Sequence, residues 1–182
     1  LHPRVRHLGN SGSLWTDPAC RYDLVRTGIA LYGLTPGAAI GTSGELGLTP
    51  AMTLTARLAH VKRIDAGERV SYGGTWAAPE PTMVGLVPLG YADGLPRAAG
   101  DREAVVVDGR LCPIVGRIAM DQCVIDLGAA CDARPGDDVV VFGPGATGER
   151  TADAWAATLD TIGYEIVTRI GPRVPRAYVG VG

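Results

Sequence analysis

Apolar and polar side chains alternate from residue 52 onward: Met52, Leu54, Ala56 and Leu58 are apolar, and Thr53, Thr55 and Arg57 are polar. That period of two belongs to a strand with one buried face. "TMVGLVPL" (82–89), "CVIDL" (123–127) and "DDVVVFG" (137–143) read as further strands. "VVVDGRLCPIV" (105–115) reads as a hairpin, because Asp108-Gly109 suits the two positive φ angles of a tight type I′ turn. One clear helix is expected, "TADAWAATLDTIG" (151–163), with Thr151 as its cap, Asp153 near the positive end of its dipole and Gly163 at its end. The chain from about residue 48 is therefore expected to be a β-rich barrel or sandwich with a helix near its C-terminus.

The beginning of the chain has a different pattern. "VRHLGNS" (5–11) reads as a short strand running into a polar turn, and "DLVRTGIALYG" (23–33) as a second strand with its own turn. "TPGAAIGTSGELGLTP" (35–50), rich in Gly, Pro, Ser and Thr, is the best candidate for a linker. A domain boundary is expected there. Were these two strands the last pair of a (β/α)8 barrel, the turns holding Ser11 and Gly28-Ile29 would fall where such barrels bind phosphate. They read equally well as ordinary strands of the β domain.

Composition narrows the function classes. The 182 residues are 46% hydrophobic with a formal net charge of −2. Near-neutral charge gives no reason to expect nucleic acid as a partner. No apolar run approaches the ~20 residues that span a bilayer, and "LHPRVRHLGN" has no apolar signal core, so a cytoplasmic location without membrane attachment is expected. Cys20, Cys112, Cys123 and Cys131 form no C-x-x-C pair, and His2, His7 and His60 have no metal-ligand spacing. No metal site is expected. Lys62 is the only lysine, so chemistry that needs an amine has a single candidate.

Two short motifs invite chemical readings. "GPGATG" (143–148) matches G-x-G-x-x-G after a strand, but no βαβ unit follows, and a Gly-Pro surface turn is the better reading. "GERVSYGGTW" (67–76) sets Tyr72 between a serine and two glycines. On its own this suits a packed strand tyrosine, or a reactive phenol with room left for a substrate.

Seven blocks taken together, "RHLGNSGS", "YDLVRTGIALYG", "RVSYGGTW", "LGYADGLPR", "PIVGRIAMDQCVIDLG", "PGDDVVVFG" and "TIGYEIVTRIGPRVPR", resemble in order and spacing the C-terminal half of alanine racemases. These pyridoxal 5′-phosphate enzymes interconvert L- and D-alanine as homodimers. The resemblance implies a mainly β fold, with a C-terminal β-barrel or sandwich domain holding one short helical segment (47–182). It would be preceded by the last strands of a truncated (β/α)8 barrel and a linker (1–46). It implies that Arg26 faces the pyridine nitrogen. A guanidinium stays protonated and donates there, which weakens the ring as an electron sink and favours racemisation over side reactions. Ser11, the backbone of Gly28 and Ile29, and the Tyr164 hydroxyl would hold the phosphate, with Asn10 shaping the turn. Tyr72 would exchange the α-proton on one face of the substrate bound by the partner subunit. A phenol serves as a base near neutrality only beside positive charge or hydrogen-bond donors. The Met120 N–H would meet the substrate carboxylate, and Tyr91, Arg97 and Arg117 would line the entrance.

The lysine that the family places on the opposite face is absent, and Lys62 lies in the wrong block to replace it. The expectation is a C-terminal piece of an alanine racemase that supplies D-alanine for peptidoglycan in its full-length dimer. By itself it should be inactive and should not hold the cofactor. A non-catalytic β-barrel association module and a racemase for another small amino acid are the competing readings. Residues 1–35 are expected to lack partners for apolar side chains such as Ile29, Leu31 and Leu34.

Overall fold

A computed structural model describes residues 2–180. Its centre is an antiparallel sheet of seven strands: β1 (Leu54–Arg57), β2 (His60–Ile64), β5 (Thr82–Val87), β6 (Ala104–Val107), β7 (Arg110–Val115), β8 (Cys123–Gly128) and β9 (Asp138–Phe142), in the order β1-β9-β6-β7-β8-β5-β2. β3 (Arg69–Val70) and β4 (Trp76–Ala77) form a separate two-stranded ribbon. The two outer strands of the large sheet are consecutive in the chain. Between them Leu58 donates its N–H to the Asp137 carbonyl on one side, and Ala59 donates to the Leu86 carbonyl on the other. One extended stretch thus joins both edges, and the sheet curls into a barrel without a long open edge.

The alternation seen in the sequence fixes the inside. Cys123, Ile125 and Leu127 of β8 are buried in the main core with Leu54, Leu58, Val87, Ile114 and Val141, while Val124 faces the other way. There it joins Ile64, Val84 and Ala78 in a second, smaller cluster, against which Val70 and Trp76 of the ribbon pack. The ribbon is thereby seated on the outer face of the barrel. The β6–β7 turn matches its expected chemistry, with Asp108 at φ 48° and Gly109 at φ 69°.

The C-terminal helical region departs from the sequence expectation. Helix α2 (Ala152–Thr158) is capped by the Thr151 hydroxyl, which accepts from the Ala154 N–H at 3.1 Å, as expected. It ends before Gly163: Asp160 takes the left-handed conformation at φ 58°, and the Thr161 N–H returns to the Ala156 carbonyl. Gly163 instead opens a second helix, α3 (Gly163–Thr168). A Cβ at Gly163 would lie 2.2 Å from Asp153 Oδ1, so glycine is needed there for close approach between helices rather than as a stop. Trp155 of α2, fully buried, meets Phe142 of β9 edge-on, with centroids 6.3 Å apart.

The two strands expected before residue 34 are reduced to one parallel bridge, His7 with Leu24, flanked by hydrogen bonds from Asp23 N–H to the Arg6 carbonyl and from Arg26 N–H to the Gly9 carbonyl. A short helix, α1 (Ser13–Thr16), lies between them, and Ile29–Tyr32 forms a 3-10 turn instead of strand. Parallel strands occur in sheets with further strands at their edges and helices over both faces, and among the described residues each segment here pairs only with the other. The expectation that the apolar side chains of this region lack partners holds for Leu31, which is 74% exposed, and for Val5, Leu8 and Leu24, which are exposed too. Ile29 and Leu34 are buried in the main core. The glycine-rich stretch after them is tied down too: Asp153 of α2 accepts from the Thr35 N–H at 3.1 Å and from the Ser43 hydroxyl at 2.9 Å.

Candidate active site

Tyr72 stands at the tip of the β3–β4 ribbon in a 3-10 turn and is 71% exposed, so its ring is not held by the core of this chain. The residue before it pays a conformational cost. Ser71 has φ 61° and ψ −177°, a region that is essentially glycine-only and costs about 1–3 kcal/mol for another residue. The turn is held from both sides: the Ser71 hydroxyl donates to the Arg117 carbonyl, and Arg69 Nη1 donates to the Gly74 carbonyl at 2.5 Å. The Arg117 guanidinium lies directly over Gly73, with Nη1 3.3 Å from where a Cβ would be. A permanent positive charge therefore flanks the tyrosine turn.

Met120 and Tyr91 come together through backbone contacts. The Tyr91 N–H donates to the Ala119 carbonyl at 3.1 Å and the Ala92 N–H to the Met120 carbonyl at 2.9 Å. The loops touch so closely at Gly90 that a Cβ there would lie 2.2 Å from the Met120 oxygen. Met120 is 54% exposed, and its own N–H donates to no group among the described residues. Tyr91 and Arg97 line an open cleft of about 450 Å³ with Gly94, Leu95 and Arg169. Arg169 was not singled out from the sequence. It caps the C-terminus of α3 just after Thr168 and reaches back to Glu165 at 3.5 Å, a spacing that reads in the sequence as a surface ion pair.

The expected phosphate ligands fall into two groups. Ser11 is buried, and its Oγ accepts from the Gly28 N–H at 2.9 Å and the Ala30 N–H at 3.4 Å. Nothing lies within 4 Å of where a Gly28 Cβ would stand, so this turn has open space beside the Ser11 hydroxyl proton and the Ile29 N–H, which donates to no group among the described residues, while the Gly28 N–H is engaged by Ser11 Oγ. Such donors fit a phosphate dianion. Tyr164 lies half-buried in the first turn of α3, packed against the main core that also holds Ile29 and Leu34. Arg26 is exposed, and its guanidinium rests on His7 through Nδ1 and the carbonyl. Lys62 is exposed on β2, opposite Val84.

The G-x-G-x-x-G stretch serves its own interior. Gly145 N–H, Thr147 N–H and the Thr147 hydroxyl all donate to the Glu149 carboxylate, at 2.8, 2.8 and 2.7 Å. Burial works against ionisation of Glu149, but these hydrogen bonds outweigh it and hold the carboxyl at about 2. The N–H groups that a nucleotide would need are already taken.

The model of the alanine racemase C-terminal domain matches residues 51–178, and that of the alanine racemase N-terminal domain matches residues 1–36. The chain belongs to the alanine racemase family. The alanine racemase of Streptomyces coelicolor is 54% identical over 179 residues, covering 98% of this chain and 46% of that relative. That of Thermobifida fusca is 53% identical over 180 residues, covering 99% and 47%. The solved alanine racemase of Streptomyces coelicolor superposes with a TM-score of 0.94 over 99% of this chain and 47% of its own. The chain thus spans about half the length of the curated relatives it matches. Among the described residues no helix is long and apolar enough to cross a membrane.

Proposed function

We propose that this chain supplies the tyrosine side of the active site in a cytoplasmic, homodimeric alanine racemase that interconverts L- and D-alanine and provides D-alanine for peptidoglycan. In this reading residues 1–46 complete the cofactor-binding barrel and residues 47–182 form the β domain that meets the partner. Pyridoxal 5′-phosphate, when bound, supplies the electron-withdrawing ring that makes the α-hydrogen of an amino acid labile. The Ser11 hydroxyl, the Ile29 N–H and the Tyr164 hydroxyl would hold its phosphate, and the Gly28 N–H would join them by exchanging its bond to Ser11 Oγ for one to the phosphate. Arg26, whose guanidinium stays protonated and now rests on His7, would turn to donate to the pyridine nitrogen and so disfavour protonation of the ring, which would favour racemisation over side reactions.

Tyr72 Oη takes or returns the hydrogen of Cα on one face, in the site of the partner subunit. A lysine supplied by the rest of the enzyme serves the other face, since Lys62 lies exposed on a β-domain strand. The Met120 N–H orients the substrate carboxylate, and Tyr91, Arg97 and Arg117 narrow the approach so that water and larger amino acids are excluded. The observation that carries the proposal is the Ser71–Tyr72 turn. A strained serine and two arginines hold an aromatic hydroxyl outward, where the core of this chain gains nothing from it. In the complete enzyme Tyr72→Phe is expected to leave the melting curve unchanged and to lower turnover of both enantiomers by about 10²- to 10⁴-fold. Normal turnover with lowered stability would return Tyr72 to a packing role.

A further inference from the structure

Three chain segments that are distant in sequence meet beside Met120, and one side chain joins them. Arg173 Nε lies 3.2 Å from Asp93 Oδ1, and its Nη2 lies 2.6 Å from Asp121 Oδ1. Asp93 is almost wholly buried, its side chain 10% exposed, and its other oxygen accepts from the Gly90 N–H at 2.8 Å. Its carbonyl accepts from the Gly171 N–H at 3.0 Å. Asp121 directly follows Met120. A single guanidinium therefore ties the loop that carries Tyr91 to the loop that carries Met120. It uses two different nitrogens of one rigid fork, which a lysine ammonium could not do with the same spacing.

Its base is fixed as well. Arg176 donates to the carbonyls of Ile170, Gly171 and Val174 at 2.5, 2.6 and 2.5 Å, which folds the stretch bearing Arg173 into a compact turn. Arg173 touches neither the Tyr72 turn nor the turn at Ser11 in any hydrogen bond or ion pair among the described residues.

We propose that Arg173 is a positioning residue: it holds the loops of residues 90–93 and 119–122 in the register that aims the Met120 N–H at a substrate carboxylate and sets the Tyr91 side chain at the entrance. The proposal rests on the racemase reading for its substrate, but the loop register it describes can be measured without one. Arg173→Gln removes both charge contacts, Arg173→Lys restores only one, and Asp121→Asn, an exposed change, weakens the contact beside Met120 alone.

In the 182-residue chain, amide exchange of Tyr91 and Ala92, whose N–H groups bind the Ala119 and Met120 carbonyls, is expected to quicken roughly tenfold in Arg173→Gln. In the complete enzyme the same variant is expected to raise KM for alanine about 10- to 10²-fold, with a smaller fall in kcat, and Arg173→Lys to recover part of the KM. Asp121→Asn should shift KM in the same direction and leave the melting curve in place. Unchanged exchange at Tyr91 and Ala92, or a fall in kcat with KM unaltered, overturns the proposal. A wild-type complete enzyme that racemises no alanine would sink the racemase reading, and the amide exchange would still decide whether Arg173 holds the loops.

Discussion

The barrel and the first fifty residues obtain their order in opposite ways. In the barrel, antiparallel neighbours such as β5 with β8 and β6 with β7 pair over four or five successive residues, and one stretch of chain joins the two outer strands. Among the described residues before 51, a single parallel bridge stands beside the Arg6–Asp23 ion pair. Side chains there are ordered mainly where Ile29 and Leu34 enter the barrel's core and where Asp153 receives Thr35 and Ser43. Antiparallel hairpins satisfy their backbone locally, whereas parallel strands depend on neighbours from elsewhere. The same division runs through the candidate chemistry. Tyr72, Tyr91, Arg97, Arg117 and Met120 stand on loops braced by the barrel, and Ser11, Arg26, Gly28 and Ile29 stand on the dependent segment.

That dependence can be tested by damage to the barrel alone. Trp155→Ala removes a fully buried ring that packs on Phe142. It is expected to cost about 3–5 kcal/mol in a denaturant titration. Because Ile29 and Leu34 share that core, amide protection in residues 29–34 should fall together with that of β9. Retained protection there would mean that the first segment is ordered independently. A smaller effect is expected from Asp153→Ala, which removes the acceptor of Thr35 and Ser43 and should cost about 1–3 kcal/mol. Its loss of protection should be confined to residues 35–43, with β5 to β8 unaffected.

The smallest effect concerns the Arg6–Asp23 pair. Hydrogen bonds from the Arg6 side chain and backbone, with its charge, hold the Asp23 carboxyl below the usual carboxylate range. A depressed carboxyl stabilises the fold above the ordinary aspartate pKa of about 4 and stops doing so as pH falls through its lowered value. Acid should therefore loosen the His7–Leu24 bridge on the low side of that value. The Glu149 carboxyl, held at about 2 by its hydrogen bonds, should keep its own loop closed into strongly acid conditions. The amides of Asp23 and Arg26, followed by NMR against pH, report this directly. Asp23→Asn should remove the transition.

Much of the barrel was legible because period-two alternation and the Asp108-Gly109 turn are local signals that the tertiary structure had no cause to override. The helix start at Thr151 was legible for the same reason. Its end was not: Asp160 adopts a left-handed conformation that glycine usually takes, and Gly163 is needed where Asp153 approaches a second helix. The first strands were misjudged because a strand-like sequence forms strand only beside a partner. Tyr72, Met120 and the entrance residues were named through family resemblance. The side chains that brace them, Ser71, Arg69, Asp93 and Arg173, carry no sequence signal because their importance lies in contacts between distant segments. The strain at Ser71 in particular cannot be read from a serine.

The measurement closest to the proposed chemistry is α-hydrogen exchange in D₂O, followed separately for L- and D-alanine with the complete enzyme bearing Tyr72→Phe. Loss of the hydroxyl alone should abolish exchange from the enantiomer whose hydrogen faces Tyr72. The enantiomer served by the lysine should still exchange its hydrogen, even though net racemisation falls by about 10²- to 10⁴-fold. Near-normal exchange from both enantiomers would remove Tyr72 from proton transfer and leave its exposed, strained turn without the role assigned to it.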